Sequence, residues 1–160
     1  MHTGCISALK VLHNPRYYLG PAHPALALHL VSAGVDVFDT SYPTLVTERD
    51  AMLVFPNTVP QEEVEEEELG EVEVSLELEK FRTDLGPLVA GCSCYTCASF
   101  TRAYLHHLVT TREMLARVLL ALHNLHHYHT FFLTLQACIK EGTLARLVRR
   151  LPPGHRPAAP

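Results

Sequence analysis

The chain has 160 residues, of which 48% are hydrophobic and 19% charged, so it has the length of one ordinary domain and enough apolar side chains to bury a core. No apolar run reaches the roughly 18 to 20 residues of a membrane span, so any membrane association is expected to be peripheral. The formal net charge of -4 hides an asymmetry, because residues 1–98 carry 5 basic and 15 acidic side chains and residues 99–160 carry 8 basic and 2 acidic ones. The basic part is expected to face an acidic or polyanionic partner, with a merely solvated basic face as the alternative.

The first predicted elements form a β-α-β unit. Residues 16–19 and 35–38 are two short apolar runs that end at or follow glycines. Between them, residues 24–33 are typical of a helix that has proline in its first turn and Gly34 as its C-terminal stop. The two strands are expected to be parallel, with a right-handed crossover, which implies a larger α/β sheet or barrel.

Asp39 follows the second predicted strand directly. In α/β barrels the reacting side chains lie at this end of the strands, so Asp39 is the candidate catalytic residue. An aspartate at such a position also serves as a helix or turn cap, and both interpretations stay open. Asp36, within the strand, is expected to be structural.

An acidic, low-complexity segment interrupts the chain at residues 56–71. Its like charges repel one another and it has little to bury, so it is expected to be a disordered loop. Residues 72–79 then alternate between apolar and polar side chains, which predicts a strand with one solvated face.

Three cysteines, Cys92, Cys94 and Cys97, form a Cys-x-Cys-x-x-Cys cluster. Three thiolates and one imidazole are the ligand set of a closed, tetrahedral structural zinc site, and zinc accepts this mixed sulfur and nitrogen shell. Because five is an odd number of cysteines, and too few for a disulfide-stapled mini-domain, reduced thiols are expected. Cys5 and Cys138 are expected to be ordinary buried cysteines.

A helical hairpin is predicted after the cysteines. Residues 99–109 predict a short helix, and Thr110 with Glu113 matches a capping box that would start a second one. The second helix is predicted to continue to about Lys140, before a glycine stop, and a short basic third helix is predicted over residues 143–151.

The fourth ligand is expected to be His123, one of eleven histidines. At about 1.5 Å per residue, the second helix needs roughly eleven or twelve residues to climb back to the level of Cys97, which leads to position 122 or 123. His126 and His127 lie about one turn further along and are the second choice.

The second predicted helix carries large apolar side chains around more than half of its circumference, so a second surface must cover part of it. The aromatic cluster of Tyr128, Phe131 and Phe132 is the expected partner interface, because large aromatics dominate association energies. The alternative is that these side chains belong to the core.

Taken in order, these residues resemble the tRNA-guanine transglycosylase family. The resemblance rests on residues 15–20, 34–39, 92–97 and 101–108 and on His123 with Asn124. It implies a (β/α)8 barrel with a helical zinc-binding subdomain near the C-terminus, and the exchange of guanine for queuine at the wobble position of tRNAs with GUN anticodons. The resemblance assigns Cys92, Cys94, Cys97 and His123 to the zinc ligands, and Asp39 to the aspartate that forms a covalent RNA intermediate in catalytic members.

Several features indicate an accessory, non-catalytic branch: Leu45, residues 46–49, the long acidic insertion and residues 91–97. Catalytic members continue after the aspartate with Pro-Thr-Arg, whereas Leu45 stands at the position of the arginine. The resemblance then implies a heterodimer with a catalytic subunit, contact with tRNA through that complex, and a cytoplasmic location, with peripheral attachment to the mitochondrial outer membrane left open. A fragment of a catalytic transglycosylase that uses Asp39 as nucleophile is the alternative function. A zinc-stabilised interaction module is a third.

The expected organisation is α/β, with about the last two strands of a TIM barrel followed by a helical zinc-binding subdomain. The expected divisions are a partial barrel segment at 1–55, the acidic insertion at 56–71, a strand and zinc-binding subdomain at 72–151 and a flexible tail at 152–160. Two strands cannot close an eight-stranded barrel, so the chain is not expected to catalyse base exchange alone. A natural short form and an incomplete sequence both stay open.

Overall fold

A computed structural model describes residues 14–55 and 71–149. Within these ranges the fold is mixed α/β, and helices dominate it. The elements, in chain order, are β1 (Tyr17–Tyr18), α1 (Pro24–Ser32), β2 (Val37–Phe38), α2 (Ser41–Glu48), β3 (Ala51–Leu53), β4 (Glu73–Ser75), a 3-10 helix (Glu79–Phe81), α3 (Tyr95–Ser99), α4 (Arg102–Thr110), α5 (Met114–Glu141) and α6 (Leu144–Arg149).

The first elements form the predicted parallel β-α-β unit. Strands β1 and β2 pair in parallel, with Tyr17 opposite Val37, and α1 connects them. Gly34 ends the connection with φ at 89°, and a Cβ there would lie 3.0 Å from the Arg16 guanidinium. Glycine alone accepts this turn without strain, so the predicted stop is confirmed. That β1 and β2 are the last strands of an eight-stranded barrel stays a prediction.

A second sheet consists of β3 and β4, which pair antiparallel with Met52 opposite Val74. The predicted strand over residues 72–79 is correct only for its first part, because the chain turns at its end into the 3-10 helix. Helix α2 and strand β3 were not expected from the sequence. Residues 56–70 and 150–160 lie outside the described residues, and with them most of the acidic insertion and the tail.

The predicted helix over residues 99–109 is wrong at its start. The backbone is extended at Phe100 and Thr101, which separates α3 from α4. The Thr101 side chain accepts a hydrogen bond from the Tyr104 amide and so caps α4. Cys97 therefore lies in a separate short helix that precedes the hairpin.

The predicted capping box at Thr110 and Glu113 is also wrong. Thr110 is the last residue of α4, and its hydroxyl donates to the carbonyls of His106 and His107, 2.7 and 2.9 Å away. Glu113 precedes α5 as its N-cap, without a side-chain capping bond. Threonine can bond back into the helix that precedes it as readily as it can cap the next one, which is why the motif misled.

The end of α5 agrees with the prediction. Gly142 adopts a left-handed conformation with φ at 70°, directly after Glu141. The Thr143 amide then donates to the Cys138 carbonyl at 2.8 Å, so the last turn of the helix is satisfied.

Two hydrophobic cores share α5. The first core packs α1, α2 and two residues of β3 against the C-terminal half of α5. The second packs Met52 of β3, β4, α3 and α4 against the N-terminal part of α5. Tyr128 and Phe131 lie in the first core at 3% and 4% exposure, and Phe132 packs against it. The expectation that these aromatics form a partner interface is therefore wrong, since the β-α-β segment covers them.

Candidate metal centre

The three cysteines of the cluster converge on His123. Its Nδ1 lies 3.8, 3.5 and 3.4 Å from the sulfurs of Cys92, Cys94 and Cys97. All four ligand atoms lie within 4.8 Å of one another, and no other such group of three or more occurs among the described residues. Tetrahedral zinc would place sulfur and nitrogen ligands about 3.6 Å apart. The four residues could therefore hold a metal ion of that size and geometry.

Local structure positions the thiols. Cys94 is the N-cap of α3, and its sulfur accepts a hydrogen bond from the Cys97 amide at 3.3 Å. Gly91 has φ at 76°, which turns the chain into the cluster. The Thr96 hydroxyl donates to the Leu119 carbonyl at 2.8 Å and ties α3 to α5. The sulfurs thus face the helix that carries the imidazole.

The protonation of His123 is set by its second nitrogen. Nε2 lies 3.0 Å from the Leu53 carbonyl, which can only accept a hydrogen bond, so Nε2 carries the proton and Nδ1 presents its lone pair to the sulfurs. His123 is fully buried, and burial lowers its pKa to about 4. The imidazole is therefore neutral at pH 7, as a metal ligand must be.

Burial has the opposite effect on the thiols. It raises the pKa of Cys97 to about 12 and also raises the pKa of Cys92. Without a cation, both thiols stay protonated at neutral pH. A bound divalent ion would deprotonate a coordinating thiol outright, so the cluster would release protons as it took up a metal.

The second-choice histidines lie outside this group. The Nε2 of His126 lies 3.4 Å from the Ser93 hydroxyl, and the Nε2 of His127 lies 2.8 Å from the Phe55 carbonyl. His106, nearer the hairpin tip, bonds through Nδ1 to the Leu76 carbonyl at 2.7 Å.

Sequence reasoning assigned no role to Asn124, although it is fully buried beside His123. Its Oδ1 accepts from the Leu53 amide at 2.9 Å, and its Nδ2 donates to the Ala51 carbonyl and the Thr47 hydroxyl, each at 3.0 Å. A lone asparagine in a helix has no distinctive pattern, so only its place next to His123 pointed to it.

Asp39 lies where it was predicted, between β2 and α2, and is half-buried. Its Oδ1 accepts from the hydroxyl and amide of Ser41 at 2.6 and 3.0 Å, and its Oδ2 accepts from the Gly20 amide at 2.8 Å. The bonds from Ser41, and then the one from Gly20, lower the pKa of the carboxyl. Asp39 is thus an ionised carboxylate that joins the turn after β1 to the start of α2, the geometry of a cap.

No helix in residues 14–55 and 71–149 is both long enough and apolar enough to cross a membrane. The described fold is a β-α-β segment joined by one long helix to a buried cluster of three cysteines and a histidine. The chain belongs to the queuine tRNA-ribosyltransferase family, whose model matches residues 3–156.

Curated relatives carry one shared name. The chain is 34% identical to queuine tRNA-ribosyltransferase accessory subunit 2 of Xenopus laevis, over 85% of this chain and 40% of that protein. The protein of the same name in Homo sapiens is 36% identical, over 91% of this chain and 40% of its own length. That of Anopheles gambiae is 43% identical, over 85% of this chain and 31% of its own length. The chain thus spans less than half the length of these relatives.

Proposed function

We propose that this chain is the zinc-binding part of a non-catalytic accessory subunit of a queuine tRNA-ribosyltransferase, and that it acts in tRNA modification with a catalytic partner. The observation that carries the proposal is the accessory-subunit name of relatives matched over most of this chain. The exchange of guanine for queuine at the wobble position would then occur in the partner. A cytoplasmic location fits this role, and attachment to the mitochondrial surface would be peripheral.

The proposed ligands of the zinc ion are Cys92, Cys94, Cys97 and His123. Four protein ligands fill a tetrahedral shell and leave no position for water or substrate, which is the arrangement of a structural zinc site. Three of the four ligands are buried, which also keeps solvent from the ion. The ion would fasten α3 to α5 and would contribute its binding energy to folding.

Asp39 has a structural role in this proposal. Both of its oxygens accept hydrogen bonds from Gly20 or Ser41, so the carboxylate already serves the turn. Leu45, with 40% of its surface exposed, cannot contact tRNA phosphates as an arginine at that position would. A catalytic fragment with Asp39 as nucleophile is the competing function, since an ionised carboxylate is what a nucleophile also requires.

The proposed pairing surface is the exposed face of α5, because the aromatic cluster on its other side lies in the core. Leu115, Val118, Leu122 and Leu125 are 42%, 55%, 45% and 44% exposed. Spaced three or four residues apart, they form one apolar stripe, which a partner subunit could cover. tRNA would be contacted through the resulting complex.

Metal analysis of purified variants tests the zinc centre. Wild-type chain should bind close to one zinc ion, and Cys97→Ser should lose the metal as completely as Cys92→Ser. Cys138→Ser is the matched control, because Cys138 is also buried but lies in the first core, away from the cluster. Full zinc occupancy in a Cys92→Ser/Cys97→Ser double variant would refute the assignment.

Base exchange tests the role of Asp39. Asp39→Asn in the full-length protein, paired with its catalytic partner, should leave guanine exchange nearly unchanged. Removing a covalent nucleophile abolishes the intermediate, so a loss on the order of a thousandfold would establish the catalytic alternative instead. Ser41→Ala, which removes one donor to the same carboxylate, controls for damage to the turn.

A further inference from the structure

Strand β3 is bonded along two sides by different kinds of partner. On one side the backbone of β4 pairs with Met52, and the Val54 amide donates to the Val72 carbonyl at 3.0 Å. On the other side, side chains of α5 bond the carbonyls of Ala51, Leu53 and Phe55 and the amide of Leu53. The position of α5 against β3 is therefore set by side-chain hydrogen bonds as well as by packing.

Leu53 is the point where two consecutive residues of α5 meet the strand. Its amide donates to Asn124 at 2.9 Å, and its carbonyl accepts from His123 at 3.0 Å. Asn124 uses every hydrogen-bonding group of its amide at full burial, since its two remaining bonds reach Ala51 and Thr47. The bonds to Leu53 and Ala51 fix the rotation of α5 and its register along β3, and the bond to Thr47 ties the same side chain to α2.

A metal ligand needs this kind of control. The Nδ1 of His123 lies 3.4 to 3.8 Å from the three sulfurs while its Nε2 lies 3.0 Å from the Leu53 carbonyl, so the imidazole meets two targets at once. A small slide or rotation of α5 would move the imidazole away from one target or the other. We propose that Asn124 is a positioning residue for the metal centre. Asn124 holds α5 and the Leu53 backbone in the register that directs the His123 imidazole at the thiols. This inference rests on the zinc centre proposed above.

Metal release from matched variants tests the proposal. Asn124→Ala loaded with zinc should release the ion to a chromophoric chelator about 10-fold faster than wild type. This is the lower end of the effect on affinity of losing a residue bonded directly to a ligand, because Asn124 acts on His123 through the Leu53 backbone. Its Co²⁺ form should also show a changed ligand-field absorption spectrum, which reports coordination geometry directly. Thr47→Val is the control, since it removes the bond from Asn124 to α2 and keeps both bonds to β3. It should leave the release rate and the Co²⁺ spectrum as in wild type.

The outcomes separate this inference from the zinc proposal. The positioning role would be overturned if Asn124→Ala had the release rate and the Co²⁺ spectrum of wild type. It would also be overturned if Thr47→Val changed both as much as Asn124→Ala does, because any loosening of the core would then disturb the metal site. Wild-type chain that binds no zinc would refute the metal centre and this inference with it.

Hydrogen exchange in the wild-type chain provides a test that needs no variant. If Leu53 links the metal to α5, then removing zinc with a chelator should speed exchange of the Leu53 amide more than that of Val54, whose amide is bonded to Val72 on the opposite side. An equal effect on the two amides would overturn the proposal, even if Asn124→Ala failed to fold.

Discussion

Two buried tyrosines in contact should respond in opposite ways to the loss of their hydroxyl groups. Tyr42 and Tyr128 are 6% and 3% exposed, and their ring centroids lie 5.9 Å apart. The Tyr128 hydroxyl donates to the Ala22 carbonyl at 2.7 Å, whereas the Tyr42 hydroxyl has no hydrogen-bond partner among the described residues. Substitution by phenylalanine keeps each ring and removes only the oxygen.

The magnitudes follow from hydrogen-bond energetics. Tyr128→Phe removes a bond and leaves the Ala22 carbonyl unpaired, which should lower the free energy of unfolding by about 1–3 kcal/mol. Tyr42→Phe removes a desolvated hydroxyl that has no partner, so stability should stay equal or rise by about 1 kcal/mol. Because the rings touch, the double variant should be measured too, and the two effects should not be assumed to add.

Urea denaturation at saturating zinc measures these differences, and the slope of the unfolding free energy against urea should stay constant across the variants. The reasoning fails if Tyr42→Phe loses as much stability as Tyr128→Phe, since the Tyr42 hydroxyl would then have a bond of its own.

The same pair predicts a dependence on alkaline pH. Burial raises the pKa of both phenols above the ordinary tyrosine value of 10.0. The folded state therefore holds these protons more tightly, so their contribution to stability is complete below pH 10 and is lost as the pH rises through the raised values. Tyr42→Phe should make this decline less steep, and a decline identical to that of wild type would contradict the assignment.

Three further predictions concern the metal, the partner and one turn. Because burial raises the pKa of Cys92 and Cys97, zinc binding near neutral pH should release at least two protons and should weaken as the pH falls. Calorimetry in buffers of different ionisation enthalpy measures the number of protons released, and a value of zero would contradict the prediction. Leu122→Glu should weaken binding to the catalytic subunit and leave zinc bound, and an unchanged dissociation constant would exclude the exposed face of α5 as the pairing surface. Phe131→Ala, on the buried face, should instead lower the free energy of unfolding by about 3–5 kcal/mol. Gly142→Ala should lower the free energy of unfolding by about 1–2 kcal/mol through backbone strain alone, since the added Cβ would meet nothing within 4 Å. An unchanged melting temperature would show that the turn does not strain an alanine.

The grouping of the three cysteines with His123 could be predicted because helix geometry is nearly invariant. The rise per residue of an α-helix is fixed. Once α4 and α5 are antiparallel, a residue near position 123 of α5 therefore lies beside the cysteines that precede α4. The errors at Thr110 and Phe100 shifted helix ends by a few residues and did not change that outcome. Capping motifs are weaker evidence, because the same threonine side chain can serve either of two adjacent helices.

The surroundings of the centre could not be predicted in the same way. Strand β3 has three residues and pairs with a strand that lies beyond the acidic segment, so its short pattern carries no periodicity to detect. The burial of Phe131 depends on which segment packs on its face of α5. The spacing of apolar residues identifies an apolar face, but it does not show whether that face packs against the same chain or against a partner. Asn124 is buried by the same long-range arrangement.

Helix α5 also determines how cooperatively the chain should unfold. It has 28 residues, about 42 Å of helix, and its side chains belong to both cores, with His123 and Asn124 between them. Neither core can melt without freeing part of the same helix, so heating should produce one cooperative transition rather than two. A protein shortened to the cysteine cluster and hairpin alone would expose Tyr128, Phe131 and Leu135 to water. The cysteine cluster is therefore not expected to fold as a detachable unit, and a second melting transition would contradict this.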